Sequence, residues 1–219
     1  MASPRIKICC IMSIEEARLA IAAGASALGL VGRMPSGPGV IEDALIAEIA
    51  AAVPPPVATF LLTSETTADG IVDHVRRVGT NTVQIVDAIE PFVYGRIRAA
   101  LPRLKIVQVL HVSDAAVIDE ARRLAPLVDA FLLDSGNPTL AVKELGGTGR
   151  VHDWDVSRRL VDDVGRPVFL AGGLRVDNVA RAIETVRPFG LDLCSSVRSD
   201  GRLDPAKLGA FFAAAQQSA

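Results

Sequence analysis

Eight short apolar runs rich in Val, Ile and Leu recur along this chain, at 6–11, 27–32, 57–62, 82–87, 105–112, 130–135, 167–173 and 191–197. Each has the length and composition of a buried strand. The segments between them carry a helical period, as at Ala17, Ala20 and Ile21 in the first and at Val156, Leu160, Val161 and Val164 in the sixth. Runs such as Pro167-Val168-Phe169-Leu170-Ala171 are apolar without a break. That is the pattern of parallel strands covered by helices on both faces, whereas a half-solvated antiparallel sheet alternates.

Strand and helix alternating from end to end leave two architectures, a closed (β/α)8 barrel and an open doubly wound sheet. No Gly-x-Gly-x-x-Gly follows the first run, and polar residues stand at the C-terminal ends of several different runs, as a barrel mouth requires. The reading is α/β: one (β/α)8, or TIM, barrel of eight parallel strands forming a single domain over 1–219. A chain of 219 residues, 50% hydrophobic, can bury the core this needs without disulfides or metal.

Helix punctuation agrees. Ser13 with Glu16 makes a capping-box pattern, Gly24 can close that helix, and Asp204 caps a helix that begins at Pro205.

Net charge is -2 and no run of Lys or Arg stands out, so nothing marks a nucleic-acid backbone or an anionic membrane as partner. A small-molecule partner is expected, with the protein a monomer or homodimer. The three cysteines, Cys9, Cys10 and Cys194, are odd in number and lack framework spacing, which reads as free thiols in a reducing compartment. Met1-Ala2-Ser3-Pro4-Arg5 runs straight into the first strand with no signal-peptide architecture, and no apolar stretch is long enough to span a bilayer. The expected location is the cytoplasm.

In a barrel the strand ends face one shared mouth, so residues distant in sequence converge there. The candidates are Cys9 and Cys10 after the first strand, Gln84 and Asp87 at the fourth, His111 at the fifth, Asp134 at the sixth, and Cys194, Ser195 and Ser196 at the eighth. Alternation lets only one of Cys9 and Cys10 point into the mouth of a regular strand. A thiol is a base when its pKa is lowered, and a carboxyl is a proton donor when its pKa is raised, so a facing pair supplies both roles. Read from position alone, Cys9 is equally a small buried hydrophobe. Asp134 ends an apolar run, where a carboxylate needs a partner or a purpose. His111 lacks a second histidine or carboxylate at metal-ligand spacing and reads as satisfied or solvated, so no metal is expected.

Gly172-Gly173 after strand seven and Ser195-Ser196 after strand eight could surround an anion with backbone N–H groups and hydroxyls. The loop Gly146-Gly147-Thr148-Gly149-Arg150 follows strand six. It could close over a ligand, or be a flexible solvated loop, and it lacks the Gly-Lys-Ser/Thr ending of a nucleotide-binding loop.

Lys7-Ile8-Cys9, Leu132-Leu133-Asp134, Gly146-Gly147-Thr148-Gly149 followed by Asp153-Trp154, and Gly172-Gly173-Leu174 with Asn178-Val179 together resemble the phosphoribosylanthranilate isomerase family over almost the full chain. The resemblance implies a cofactor-free Amadori rearrangement in tryptophan biosynthesis, N-(5-phosphoribosyl)anthranilate giving 1-(2-carboxyphenylamino)-1-deoxyribulose 5-phosphate. It implies Asp134 as general acid at the furanose ring oxygen and Cys9 as general base at C2. The substrate, a phosphorylated sugar, would be bound by a set comprising Lys7, Arg33, Gln84, Gly147, Gly172, Gly173, Asp192, Ser195 and Ser196, with phosphate at Gly173 and the two serines.

The chain also departs from the family pattern. Cys10 follows the catalytic cysteine where the family has Gly, and Gln84-Ile85-Val86-Asp87 replaces Gln-Leu-His-Gly. Cys194-Ser195-Ser196-Val197-Arg198 replaces Ser-Ser-Gly-Val-Glu. The loop after strand two, Met34-Pro35-Ser36-Gly37-Pro38-Gly39, lacks the family's arginine, the closest being Arg33. Losing one charge-assisted carboxylate contact costs about 1.5–3 kcal/mol, roughly ten- to a hundred-fold or more in binding. Two alternatives therefore stand beside the isomerase: a divergent paralogue acting on another aminosugar or sugar phosphate, and a non-catalytic barrel that binds a phosphate ligand.

Overall fold

The computed structural model describes residues 4–35, 37–135 and 152–217. Eight parallel strands, β1 (Arg5–Ile8), β2 (Ala27–Val31), β3 (Ala58–Thr63), β4 (Thr82–Ile85), β5 (Lys105–His111), β6 (Ala130–Asp134), β7 (Val168–Leu170) and β8 (Gly190–Leu193), close in sequence order. β1 pairs with both β2 and β8, which makes the sheet a barrel and not an open layer. The helices are α1 (Ile14–Ala22), α2 (Asp43–Ala52), α3 (Ala68–Val78), α4 (Pro91–Ala100), α5 (Ala116–Leu124), α6 (Trp154–Asp163), α7 (Val179–Val186) and α8 (Pro205–Gln216).

Two apolar layers follow from the two-residue period of the strands. One set, including Leu28, Leu61, Ile106, Leu133 and Leu191, packs outward against the helices. The alternate set, Ala27, Val31, Phe60, Leu62, Val107, Val109, Ala130, Leu132, Phe169 and Ala171, forms a separate inner cluster. Phe60 and Phe169 meet edge to face across that interior at 5.8 Å. The same alternation turns Lys7, Gln84, Asp134 and Asp192 inward.

The expected strands are all present, but several are shorter than the apolar runs, and each trimming shapes the mouth. β1 stops at Ile8, not at 11, because Cys10 adopts a left-handed backbone conformation with φ of 61°. β7 stops at Leu170 because Gly172 and Gly173 turn out of the extended region, with φ of 81° and 63°. Past β8, Ser195–Val197 is a 3-10 turn, followed by a small antiparallel ribbon of β9 (Arg198–Ser199) and β10 (Arg202–Leu203) that the apolar pattern did not signal.

The helix caps behave as read, with one change. Ser13 Oγ accepts from the Glu16 N–H, Gly24 turns the chain past α1 with φ of 105°, and Asp204 accepts from the Ala206 and Lys207 N–H groups ahead of α8. The Glu16 carboxylate, instead of closing the box on Ser13, accepts from the Met12 and Leu203 N–H groups and faces Arg198. It thereby ties the ribbon to the segment just after β1.

Candidate active site

A cavity of about 210 Å³ opens at the C-terminal end of the barrel. Its lining brings together Cys9, Gln84, Asp134, Gly172, Gly173, Asp192, Ser195 and Ser196, eight of the residues singled out from sequence. Val31, Leu62, Val109 and Leu132 from the inner cluster supply its apolar floor. Lys7 lies wholly buried within the barrel, apart from the lining.

Asp134 is the last residue of β6 and is 7% exposed. Its carboxylate accepts from the Ser135 N–H at 2.7 Å. Burial pushes its pKa up to about 6; the Ser135 bond opposes this, and the Asp192 charge adds to it. A carboxyl so placed carries its proton close to neutral pH, as a proton donor must.

Cys9 follows β1, its N–H donating to the Leu193 carbonyl at 2.7 Å, so the first and last strands of the barrel together fix its backbone. A Cβ placed on Gly29 of β2 would stand 2.8 Å from Cys9 Sγ and 3.0 Å from Lys7 Nζ. Both polar atoms therefore press against the space this glycine leaves open. Lys7 Nζ donates to Asp192 Oδ1 at 2.8 Å and lies over the Phe60 ring, 5.4 Å from its centroid. Burial alone would depress the Lys7 ammonium, but Asp192 and Cys9 hold it above its ordinary range. The ion stays charged beside the Cys9 side chain.

Cys10 corrects the expectation that only one of the two adjacent cysteines reaches the mouth. Because its backbone is left-handed, its side chain lines the same cavity as Cys9, with Sγ 2.9 Å from Cys194 Sγ. Arg198 donates to the Cys10 carbonyl and to Glu16, which locks this corner from behind.

Gly172 and Gly173 form a turn that only glycine accommodates without strain, and a Cβ on Gly172 would meet Ser135 Oγ at 2.8 Å. Asn178, 6% exposed, staples the turn: its Oδ1 accepts from the Arg175 N–H at 2.8 Å and its Nδ2 donates to the Gly173 carbonyl at 2.9 Å. Beside this turn, after the neighbouring strand β8, Ser195 and Ser196 line the same cavity. Backbone N–H groups and hydroxyls gathered in this way suit an anion.

Two expected residues stand elsewhere. Arg33 is exposed on the loop after β2 and is not among the residues lining the cavity; that loop contributes Met34, Gly37 and Pro38 instead. Gly147 lies outside the described residues, as does the whole segment Gly146-Gly147-Thr148-Gly149-Arg150. His111, read as satisfied or solvated, stands half-buried at the end of β5 as the register partner of Asp134, with the Val86 backbone within reach of its ring. Burial lowers its pKa, so the ring is neutral. Arg175 lines the cavity and was not anticipated; its Nε donates to Asp177 and its Nη1 to the Gly173 carbonyl. Among the described residues no group of three or more His, Cys, Asp or Glu has the geometry to hold a metal ion.

The family model described as N-(5'phosphoribosyl)anthranilate (PRA) isomerase matches residues 6–214. N-(5'-phosphoribosyl)anthranilate isomerase 2 of Methanosarcina mazei is 37% identical over 206 residues, covering 93% of this chain and 90% of that protein. The crystal structure of phosphoribosyl anthranilate isomerase from Thermotoga maritima superposes with a TM-score of 0.82 at 28% identity, over 98% of this chain and 99% of that one. A phosphoribosyl anthranilate isomerase in complex with reduced 1-(o-carboxyphenylamino)-1-deoxyribulose 5-phosphate gives 0.79 at 26%, with coverage of 98% and 99%. Likeness of this extent spans every strand that contributes to the cavity, and on that ground the chain belongs to the N-(5'-phosphoribosyl)anthranilate isomerase family.

Proposed function

We propose that this protein catalyses the Amadori rearrangement of N-(5'-phosphoribosyl)anthranilate to 1-(2-carboxyphenylamino)-1-deoxyribulose 5-phosphate, a step of tryptophan biosynthesis, with Asp134 as general acid and Cys9 as general base. The observation that carries the assignment of roles is that a carboxyl pushed up to about 6 and a thiol beside a buried ammonium open on one cavity. A proton donor and a nucleophilic sulfur thus face the same space.

Asp134 gives its proton to the furanose ring oxygen as the C1–O bond breaks, and the anthranilate nitrogen lone pair forms the C=N bond of the Schiff base. Cys9 thiolate then removes the C2 proton, and the C–H electron pair becomes the C1–C2 double bond as the C=N pair returns to nitrogen. The resulting enolamine moves its hydroxyl proton to C1 and becomes the ketone. Nitrogen is the electron sink throughout, so proton transfers complete the reaction. Each transfer is worth about a hundred- to ten-thousand-fold in rate. Gly172, Gly173, Ser195 and Ser196 hold the phosphate, and Gln84 and Asp192 contact the sugar between the two ends. The expected working compartment stays the cytoplasm, on the reading of the cysteines as free thiols. No helix among the described residues is long and apolar enough to cross a membrane.

The assignment is tested by following conversion of the anthranilate substrate by wild type, Cys9→Ala and Asp134→Asn. Each substitution is expected to reduce kcat by about a hundredfold or more. A wild type that turns over no anthranilate substrate sinks it. One observation favours a second reading, an aminosugar phosphate without a carboxylated ring: Arg33 points no charge into the cavity. Complementation of a tryptophan-requiring isomerase mutant by this chain would dismiss that reading.

A further inference from the structure

Cys10 and Cys194 are 184 residues apart in sequence, yet their sulfurs stand 2.9 Å apart at the rim of the cavity, with all three cysteines of the chain free. A disulfide bond is about 2.05 Å long, so less than an ångström separates this pair from a covalent link. Cys9 Sγ lies toward Gly29 and Lys7 on the β2 side and also touches Cys10, whereas Cys10 reaches on to β8 and Cys194. Arg198 reaches the carbonyls of both Cys9 and Cys10 and its charge acts on both members of the pair. Both thiols line the cavity, Cys194 half-buried and Cys10 deeper, so a small oxidant entering the mouth meets Cys194 first.

We propose that Cys10 and Cys194 are a reversible thiol-oxidation site, closing to a disulfide between the segments that follow the neighbouring strands β1 and β8 on reaction with a small hydroperoxide. The thiolate of Cys194 attacks one peroxide oxygen and the O–O bond breaks. Hydroxide leaves and takes a proton, and Cys194 becomes a sulfenic acid. Cys10 then attacks that sulfur: the S–S bond forms, the S–O bond breaks, and the departing oxygen leaves as a second water with the proton of Cys10. Two thiols lose two electrons and the peroxide gains them. A dithiol reverses the bond by two exchange steps and is itself oxidised to a cyclic disulfide. The order of attack agrees with electrostatics, since the shared contact with Cys10, then the Arg198 charge, lowers the Cys194 thiol while the same contact pushes Cys10 up. Protein disulfides in reducing compartments are typically transient and regulatory.

The bond acts on the site by geometry. Closing the gap draws the end of β1, which carries Cys9, toward the turn that carries Ser195. A misplacement of about 1 Å in an active site costs on the order of a hundredfold in rate. The loss of turnover rests on the isomerase reading; the disulfide itself does not.

The reduced protein is exposed to hydrogen peroxide, its remaining thiols are alkylated, and it is digested without reduction for peptide mass spectrometry beside an activity assay. The expected product is a peptide pair joined through Cys10 and Cys194, with Cys9 alkylated, and an isomerase rate at least tenfold lower that dithiothreitol restores. Cys10→Ala and Cys194→Ser, each compared with its own reduced activity, are expected to inactivate at least tenfold more slowly than wild type. A link joining Cys9 to either other cysteine, or inactivation of Cys194→Ser as fast as wild type, overturns the proposal. If the Cys10–Cys194 link forms in a protein that never converts the anthranilate substrate, the oxidation site stands and the isomerase reading falls.

Discussion

Lys7 and Asp192 are register partners on β1 and β8, and their side chains meet inside the barrel with Nζ 2.8 Å from Oδ1 and almost no solvent on either. The pair is the first charged layer beneath the cavity, and its cation abuts Cys9 through the space left by Gly29. Removing one partner of a buried pair strands the other charge, at about 3–5 kcal/mol, whereas replacing both with apolar groups is often neutral or better. Lys7→Met should therefore lower unfolding stability by that amount and also slow turnover. Lys7→Met with Asp192→Leu should recover most of the stability in urea titration and none of the lost kcat. A double variant with wild-type turnover would show that the ammonium does nothing for the Cys9 thiol.

Asp134 places a demand on stability that its proposed chemistry explains. Its folded pKa, raised chiefly by burial to about 6, lies above the ordinary value of 3.8. The neutral form is therefore favoured by folding: the contribution is complete below the unfolded pKa and is lost as pH rises through 6. A shift of about two units corresponds to roughly 3 kcal/mol at most. Asp134→Asn, neutral at every pH, should be more stable than wild type at pH 7 by about 1–3 kcal/mol and about equal to it at pH 4. Thermal melts of both proteins across this range check the sign; an advantage that grows toward acid pH would be the wrong one. In the wild type, kcat should fall as pH rises past the titration of this group.

The eight strands were legible because parallel strands buried on both faces leave unbroken apolar runs, their closure into a barrel from the polar residues at several strand ends, and the caps at Ser13 and Asp204 because their side chains act within four residues. The inward direction of Asp134 followed from its position at the end of such a run. Strand ends were less legible. Nothing local to Cys10 announces a positive φ, which arises from contacts with the Pro38 carbonyl, with Cys194 and with Arg198, all distant in sequence. The partnership of Lys7 with Asp192 needs barrel closure before the first and last strands can meet. Arg175 shows the same limit: its place in the lining depends on how Gly172 and Gly173 turn.

Gly29 is a strand glycine whose absent side chain decides where the base stands. An added methyl group would be 2.8 Å from Cys9 Sγ and 3.1 Å from Cys9 Cα, closer than the backbone can yield without moving. Alanine otherwise suits a strand better than glycine by a few tenths to about 1 kcal/mol. Gly29→Ala should nevertheless cost about 1–3 kcal/mol of stability by overpacking and, in protein that is still fully folded at the assay temperature, reduce kcat on the order of ten- to a hundredfold. A denaturation curve establishes that the variant is folded when its rate is read; a folded variant with wild-type kcat would show that Gly29 does not set the position of Cys9.

Asn178 has no contact with the reacting atoms in the proposed mechanism, yet its two hydrogen bonds hold the Gly172-Gly173 turn in the form that presents N–H groups to the cavity. Alanine at this position leaves the Arg175 N–H without its partner and the Gly173 carbonyl with only the longer bond from Arg175 Nη1, a loss of about 1–3 kcal/mol. Because the proposed phosphate is bound equally in ground and transition states, that cost should appear in KM and not in kcat. Asn178→Ala should raise KM about five- to a hundredfold, with kcat within about twofold of wild type. It should weaken competitive inhibition by inorganic phosphate by the same factor. A variant whose kcat falls while its phosphate affinity is unchanged would place the phosphate somewhere other than this turn.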